Sequence, residues 1–466
     1  MVDFDGIDVL FRKAVEHQNR GHFVDAVALY NAAIRMAPDL APAHFNRAAA
    51  LHSMKRYDEA VEGYDQAITL KPHNASAHHN KGVSLREMSR LNEALCSCDR
   101  AIEINPNYAE AYSNRGLVLQ EQMQLQDALC SFDRAIELKP GYADAYWNKS
   151  LCLLLMQRFD EGWQLYEWRK NGLTESKPFP TSSRSVWASE PEWLRQEVKG
   201  KTLLIHSEQG LGDTIQFCRY ALLAEAAGAT VVLSAQDSLA RLLKKLSPTI
   251  RIVGSKATIP HFDHHISLLS MPLAFKTGLN NIPAIVPYLK AEPERRKKWN
   301  DKIGSSGFKV GICWQGDNRR TIDIGRSFSV KHFERLSKIP SVRLISLQKN
   351  VGTEQLLDLP AGMTVESLGG DFDAGPDAFV DSAAVITGLD LVITSDTAIA
   401  HLAGALGHAT WLVLKYLPDW RWHLNRADSP WYPAMRLFRQ PSRGDWASVF
   451  TEMEEQLVEL IGSKKD

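Results

Sequence analysis

Small apolar residues return every 34 residues along the first third of the chain, with polar residues between them. Two alanine series keep this interval at positions where two helices would touch closely, and a proline follows each unit where the second helix would stop. The pattern predicts helix hairpins, with four full repeats over residues 8–140 and a degenerate fifth over residues 143–170. The series are Ala26, Ala60, Ala94 and Ala128, then Ala33, Ala67, Ala101 and Ala135, then Pro38, Pro72, Pro106 and Pro140.

One hairpin of this kind cannot bury its own apolar face, so the hairpins are expected to stack into a superhelix with a concave groove. The period and the residue classes together resemble the tetratricopeptide repeat (TPR) family. The array is predicted to end in the fifth unit, where Arg169 replaces the expected alanine and Thr174 the expected proline.

A ladder of asparagines lies on the predicted first helices, and a basic residue follows each of them. An amide has one acceptor and two donors, so the ladder can hold an extended peptide backbone without reading its sequence. The alternative is that the asparagines tie neighbouring helices together, and the basic stripe is equally well explained as a solvated face. The ladder is Asn46, Asn80, Asn114 and Asn148, followed by Arg47, Lys81, Arg115 and Lys149.

Beyond a stretch rich in proline and serine, the pattern changes to strands that alternate with helices, which is typical of parallel α/β layers. We predict an all-α TPR domain over residues 1–172, a linker over 173–198, and two Rossmann-like lobes over 199–303 and 304–466. Such lobes bind ligands beyond the carboxyl ends of their strands. Predicted strands are 202–206, 230–234, 309–313, 342–347, 391–394 and 410–414; predicted helices are 213–227, 238–246, 292–302, 331–338, 377–387 and 397–406.

The first candidate motif follows the first strand of the first lobe and contains Glu208, Gly210, Gly212 and Asp213. The glycines allow a tight turn and a close approach of the backbone. Asp213, at the start of a helix, is our first candidate for a general base that faces a cleft, and Glu208 is the second candidate. A helix-capping role for Asp213 is the alternative, and the two roles are compatible.

The second candidate motif runs from a strand into a helix and contains Asp396, Thr397, Ala398 and His401. Unpaired N–H groups and partial positive charge at a helix N-terminus suit a diphosphate, and the small Ala398 lets a phosphate approach. His401 can add a hydrogen-bond donor. The alternative is a capped core helix with a satisfied histidine.

A third candidate element follows the first strand of the second lobe and contains Gln315 and Gly316, with Arg319, Arg320 and Arg326 soon after. Arginine meets phosphate oxygens well, although three arginines in one loop are often only surface charge. We expect Gln315 and Arg326 to contribute to phosphate binding.

The overall composition narrows the classes of function. The 54 basic residues do not outnumber the 55 acidic ones, so a nucleic-acid partner is not expected. No apolar run is long enough to cross a bilayer, and the acidic N-terminus lacks a signal-peptide core. The six cysteines show no metal-binding spacing. We therefore expect a soluble cytoplasmic protein with reduced thiols.

These motifs together resemble the bacterial TPR-containing glycosyltransferases, some members of which are tied to flagellin modification. The segment around Asp213 is similar to the Gly-x-Gly-Asp motif of heptosyltransferases, and Arg326 matches the basic residue that meets the donor phosphates. The asparagine ladder resembles that of eukaryotic protein O-GlcNAc transferase, which holds its substrates with it. Ala398 departs from the family, which has glycine there.

The resemblance implies a B-type (GT-B) fold, a nucleotide-sugar donor, no bound metal or other cofactor, and inversion at the anomeric carbon. It also implies a protein acceptor in the TPR groove, with flagellin as a candidate. One alternative is a glycosyltransferase acting on lipid or oligosaccharide, with the repeats recruiting a partner. Another is a non-catalytic TPR scaffold that has kept the fold.

Overall fold

The computed structural model describes residues 4–171, 198–317, 323 and 325–463. The chain divides into two compact units, one made of residues 1–156 and 164–174, the other of residues 157–163 and 175–466. The predicted linker lies outside the described residues, apart from Val198, and so do Arg319 and Arg320.

The first part of the chain consists of α-helices in five successive pairs, followed by a short 3-10 helix, Glu167–Lys170. The first helix begins earlier than residue 8, where the repeats were predicted to start. The helices are α1 (Phe4–Asn19), α2 (Phe23–Met36), α3 (Ala41–Ser53), α4 (Tyr57–Leu70), α5 (Ala75–Glu87), α6 (Leu91–Ile104), α7 (Ala109–Glu121), α8 (Leu125–Leu138), α9 (Ala143–Leu155) and α10 (Phe159–Tyr166).

The residues that repeat every 34 positions have the roles that their types favour. All eight alanines of the two series are fully buried, and each of the four prolines comes two residues after a second helix ends. The turn inside each pair contains one residue in the left-handed conformation, with φ between 59° and 77°. Only the first of these is a glycine, so residue type does not reveal the others: Gly21, Lys55, Ser89, Met123 and Gln157.

The basic stripe is matched by acidic residues of the preceding repeat. Nζ of Lys81 donates to Oδ1 of Asp65 at 2.6 Å, and Nε of Arg115 donates to Oδ1 of Asp99 at 2.7 Å. Lys149 pairs with Asp133 in the same way. Three of the four basic residues of the stripe therefore form ion pairs between repeats, whereas Nε of Arg47 is buried without a hydrogen-bond partner.

The second part of the chain contains two sheets in which every strand pairing is parallel. Their strand orders are β3-β2-β1-β4 and β6-β5-β7-β8-β9. The strands are β1 (Thr202–His206), β2 (Thr230–Ala235), β3 (Arg251–Gly254), β4 (His264–Ser267), β5 (Phe308–Cys313), β6 (Val342–Ser346), β7 (Leu391–Ser395), β8 (Thr410–Leu414) and β9 (Met435–Arg439).

Helices lie between the strands and follow the last one. The terminal helix buries Val449, Phe450, Met453 and Leu457 in the core of the five-stranded sheet. These helices are α11 (Leu211–Phe217), α12 (Arg219–Ala226), α13 (Ala240–Leu243), α14 (Met271–Ala274), α15 (Pro293–Ile303), α16 (Glu334–Ser337), α17 (Val380–Ile386), α18 (Ala398–Ala405) and α19 (Trp446–Ser463).

The structure differs from the sequence prediction mainly where elements are short or divided. The predicted helix 213–227 begins two residues earlier and is divided at Cys218. The predicted helices 238–246 and 331–338 each consist of a short 3-10 helix followed by a four-residue α-helix. Strands β3, β4 and β9 and helices α14 and α19 have no predicted counterpart. Strands of four residues, such as β3 and β4, offer too few positions for a hydrophobic pattern to stand out.

Candidate functional site

The turn after β1 leads directly into α11. Gly210 is the residue that caps α11, and Asp213 is the third residue of the helix. The backbone N–H of Gly210 donates to Oδ2 of Asp213 at 2.9 Å. Asp213 therefore stabilises the helix start by reaching back to the capping residue, rather than by being that residue itself.

The turn after β7 leads into α18 in a similar way. Asp396 directly follows the strand, and Thr397 precedes α18 in an extended conformation. The carboxyl end of β1 and that of β7 are thus each followed by the N-terminus of a helix. Free backbone N–H groups at such a terminus favour a negatively charged group.

The two helix starts meet at Gly212. A Cβ at this position would lie 2.9 Å from Cδ2 of His401 and 3.4 Å from Cα of Ala398. Real Cβ atoms do not approach this closely, so the contact requires glycine. The candidate motifs of the two lobes are therefore brought together, and Gly212 has a packing role that its motif alone did not indicate.

Arg421 forms an ion pair with Asp213 of the first motif, and its charge also acts on Asp396 of the second motif. Its guanidinium donates to Oδ1 of Asp213 through Nη2, and to Oδ1 of Asp419 through Nη1 at 2.9 Å. Its Nε donates to Oε1 of Gln216 at 2.6 Å. The Arg421 side chain is 8% exposed and that of Asp213 is 21% exposed, so this ion pair is largely shielded from water.

Arg421 and Asp419 were not among the predicted site residues. The available signal was an arginine between two tryptophans, because a charged residue in such a setting usually needs a buried partner. Both tryptophans, Trp420 and Trp422, are buried in the structure, and the guanidinium of Arg421 lies 4.4 Å from the centre of the Trp420 ring.

The charges around Asp213 and Asp396 act on both carboxyl groups. Burial raises the pKa of Asp213, while Arg421 and the Gly210 N–H act in the opposite direction. Burial and the nearby charge of Asp419 raise the pKa of Asp396 to about 6, against the effects of Arg326 and Arg421. Both carboxyl groups therefore hold protons more tightly than an exposed aspartate does.

His401 is a neutral side chain at this site. Burial and the positive charges of Arg421, Arg219 and Arg326 lower its pKa well below the ordinary value. Its Nδ1 lies 3.0 Å from the hydroxyl oxygen of Tyr432. If that hydroxyl donates, Nε2 is the protonated nitrogen, and it is bonded to Cδ2, the ring atom nearest Gly212.

Arg326 lies beside the second motif. A Cβ on Gly316 would meet Nη2 of Arg326 at 2.6 Å and Cγ2 of Thr397 at 3.4 Å, so these side chains share the space above that glycine. Nε of Arg326 is buried without a hydrogen-bond partner, and the guanidinium lies 3.7 Å from Asp323. The structure therefore places an incompletely paired cation near Asp396.

Two predicted site residues have contacts of a different kind. The side-chain oxygen of Gln315 accepts a hydrogen bond from Gln355 at 3.1 Å, within the second lobe. Oε1 of Glu208 accepts a bond from the backbone N–H of Leu269 at 3.2 Å, and the charge of Glu208 raises the pKa of Asp213. Glu208 thus acts on Asp213 through its charge, whereas the contact of Gln315 with Gln355 positions the loop after β5.

In the repeat region, the asparagine ladder faces the preceding repeat. Nδ2 of Asn114 donates to Sγ of Cys98 at 3.1 Å, and its Oδ1 accepts from Arg86 at 3.3 Å. Asn46 and Asn80 interact with the hydroxyls of tyrosines at the position equivalent to Cys98, Tyr30 and Tyr64. Three members of the ladder therefore tie helices together, as the alternative held.

The fourth member differs in its surroundings. Sixteen residues before Asn148 stands Phe132, a side chain with no hydrogen-bonding group, and Asn148 is half-buried. The peptide-binding role of the ladder stays a prediction, and Asn148 is the member best placed to test it.

Comparison with known proteins identifies the repeats. The tetratricopeptide repeat model matches residues 41–74, and a second TPR repeat model matches residues 82–122. The N-terminal region is an array of tetratricopeptide repeats. In the residues that the structure describes, no helix is both long and apolar enough to cross a membrane.

A relative extends the similarity beyond the repeats. Protein FlbA of Caulobacter vibrioides is 27% identical over 337 residues, which is 67% of this chain and 54% of FlbA. The chain therefore spans about half the length of that relative. Since the repeats end near residue 170, the match includes a large part of the region with parallel sheets.

Solved structures resemble the repeat region. A crystal structure of MamA is 21% identical and covers 33% of this chain and 91% of its own, with a TM-score of 0.31. The structure of pilF from Pseudomonas aeruginosa is 21% identical, with 37% and 78% covered and a TM-score of 0.34.

The raised pKa of Asp396 predicts a pH dependence of stability. The folded state favours the neutral form of Asp396. The stabilisation that this group adds to the free energy of unfolding is therefore present below its ordinary pKa and is lost as pH rises through about 6. Relative to Asp396→Asn, the wild type should lose unfolding free energy between pH 4 and pH 6. Urea unfolding at a series of pH values measures the difference.

Asp371→Asn is the matched control for that profile. The ion pairs of Asp371 with Lys298 and Lys302 lower its pKa to about 2. Its titration should therefore change the free energy of unfolding only below pH 4, and with the opposite sign. If the Asp396→Asn and wild-type profiles run parallel from pH 4 to pH 6, the pKa assigned to Asp396 is wrong.

Proposed function

We propose that the chain is a protein O-glycosyltransferase with a GT-B fold, which moves a sugar from a nucleotide-sugar donor to serine or threonine of a protein acceptor. The proposal rests above all on the meeting, at Gly212, of two strand-to-helix segments from two parallel sheets, with the partly buried carboxylate of Asp213 beside them. Ligands of parallel sheets bind beyond the carboxyl ends of the strands, and both segments lie there.

The positive charges near α18 suit the diphosphate of a nucleotide-sugar donor. The N-terminus of α18 offers free N–H groups, and Arg326 has a buried nitrogen without a partner. His401 is neutral, so it would act as a hydrogen-bond donor through Nε2 rather than as a charge. These groups would stabilise the negative charge that develops on the leaving phosphate, and no step requires a metal ion.

Asp213 has the environment of a general base. Burial raises its pKa toward the range in which a base works best near neutral pH, while Arg421 keeps the ionised form accessible. Both of its oxygens accept one hydrogen bond, and each carboxylate oxygen has a second lone pair for a substrate hydroxyl.

The proposed reaction is a single displacement. Asp213 takes the proton of the acceptor hydroxyl as its oxygen forms a bond to the anomeric carbon. The bond from that carbon to the donor phosphate breaks at the same time, and the nucleoside diphosphate leaves with the electron pair. Attack opposite the leaving group inverts the configuration of the sugar.

The TPR array is the proposed source of acceptor specificity. TPR repeats support binding of a protein partner, and the resemblance to bacterial TPR-containing glycosyltransferases makes flagellin a candidate acceptor. Two alternatives compete with this proposal. In the first, the acceptor is a lipid or an oligosaccharide; in the second, the chain is a scaffold without activity.

Replacing Asp213 tests the chemistry. Asp213→Asn keeps the shape and the bond from Gly210 but removes the proton acceptor, so turnover should fall by about 10² to 10⁴-fold. Release of nucleotide from a panel of nucleotide sugars measures turnover, and calorimetry should find nucleotide affinity nearly unchanged. Asp371→Asn, an exposed carboxylate of the same unit, is the control and should keep wild-type turnover.

Near-normal turnover in Asp213→Asn would remove this residue from the mechanism. Nucleotide binding without turnover in the wild type would favour the scaffold. Turnover that modifies only lipid or oligosaccharide would replace the proposed acceptor.

Two members of the asparagine ladder, Asn114 and Asn148, have different surroundings, and replacing each of them tests a different role of the ladder. Asn148→Ala should weaken acceptor binding by about 0.5–1.5 kcal/mol, the value of one hydrogen bond, with unchanged stability. Asn114→Ala removes a partner of both Cys98 and Arg86, so it should lower the free energy of unfolding by about 1–3 kcal/mol. Acceptor affinity and urea unfolding of both variants separate the two roles.

If both variants lose only stability, the ladder serves the fold alone. If Asn148→Ala binds acceptor as the wild type does, the acceptor does not use this face of the repeats.

A further inference from the structure

The first repeat contains a cluster of metal-ligand side chains that the proposed glycosyl transfer does not use. His17 lies in the last turn of α1, His22 immediately precedes α2, and Asp25 lies in the first turn of α2. One ligand atom from each lies within 4.8 Å of the other two. We propose that these three residues bind a divalent transition metal ion, for which zinc is the probe.

The other repeats show what normally occupies this place. The positions equivalent to His17 are all buried leucines. The positions equivalent to His22 and Asp25 form arginine–glutamate pairs in three of the four later repeats. The leucines are Leu51, Leu85, Leu119 and Leu153, and the pairs are Arg56–Glu59, Arg90–Glu93 and Arg158–Glu161.

The first repeat therefore replaces one apolar residue and one ion pair together. His17 stands in place of leucine, His22 in place of arginine and Asp25 in place of glutamate. Each of the three side chains can bind a metal ion, and all three lie around the turn between α1 and α2. A histidine in place of a buried leucine leaves a polar atom to satisfy: Nδ1 of His17 is buried without a hydrogen-bond partner and lies 3.7 Å from Oδ2 of Asp25.

The geometry is compatible with a metal ion after small side-chain rotations. Zinc binds histidine nitrogen at about 2.0–2.1 Å, which places tetrahedral ligands about 3.3 Å apart. His22 and Asp25 are exposed, so their side chains can close the remaining distance. Two imidazoles and one carboxylate leave a fourth position for water, and this donor set favours late first-row cations over magnesium or calcium.

Such an ion would stabilise the hairpin of the first repeat. A metal ion that joins the end of α1 to the start of α2 would close the first hairpin. The role is separate from sugar transfer, so the failure of either proposal leaves the other standing.

Calorimetric titration of the full chain with zinc chloride, after chelator treatment, tests the proposal. The wild type should show one saturable site, and His17→Leu and His22→Arg should each lose it. Both substitutions introduce the residue that other repeats have at that position, so folding should be preserved. His73→Arg, at an exposed histidine elsewhere in the array, should bind zinc as the wild type does.

Hydrogen exchange locates the ion independently. Zinc should slow amide exchange at the α1–α2 turn of the wild type and of His73→Arg, with no such change in the two site variants. Zinc binding that survives both site substitutions, as binding at the exposed thiols of Cys96 or Cys130 would, overturns the proposal. So does the absence of saturable binding in the wild type.

Discussion

Residue 212 is a glycine, and because it has no Cβ atom, two helix N-termini can meet there. With Gly212 against Ala398 and His401, the segment after β1 and the segment after β7 come within van der Waals contact. Much of the candidate site surrounds that contact. It places Asp213 within reach of Arg421, and it places the imidazole of His401, the start of α18 and Asp396 at one end of both sheets.

The close approach of the two helix N-termini also brings several charged side chains together at a largely buried site. Asp213, Asp396 and Asp419 share two arginines, Arg421 and Arg326, and burial raises the pKa of the first two acids. Unpaired, such acids would be costly to bury, so the arginines are part of the fold as well as of the proposed chemistry. A site that holds both a proton acceptor and cations for a leaving phosphate needs this mixture of signs.

The sequence predicted the parts of the molecule that repeat or that follow a strong pattern. The 34-residue period indicated the TPR array, and β1 and β8 begin and end where the pattern placed them. It could not reveal what depends on distant contacts. The pairing of Asp213 with Arg421 joins residues 208 positions apart, and a left-handed turn residue such as Met123 has no residue-type signal. The period of the asparagines could not by itself separate peptide binding from helix tying, and the contact of Asn114 with Cys98 shows the second role for that residue.

The most direct test of the account is calorimetric titration of a panel of nucleoside diphosphates into the wild type and a matched pair of variants. Gly212→Ala introduces a methyl group where there is no room, whereas Gly370→Ala has no atom within 4 Å of the new Cβ. The account predicts that one nucleoside diphosphate binds the wild type and Gly370→Ala equally, and binds Gly212→Ala at least about tenfold more weakly, a difference of about 1.4 kcal/mol. Equal affinity in all three proteins, or no binding to the wild type, would contradict it.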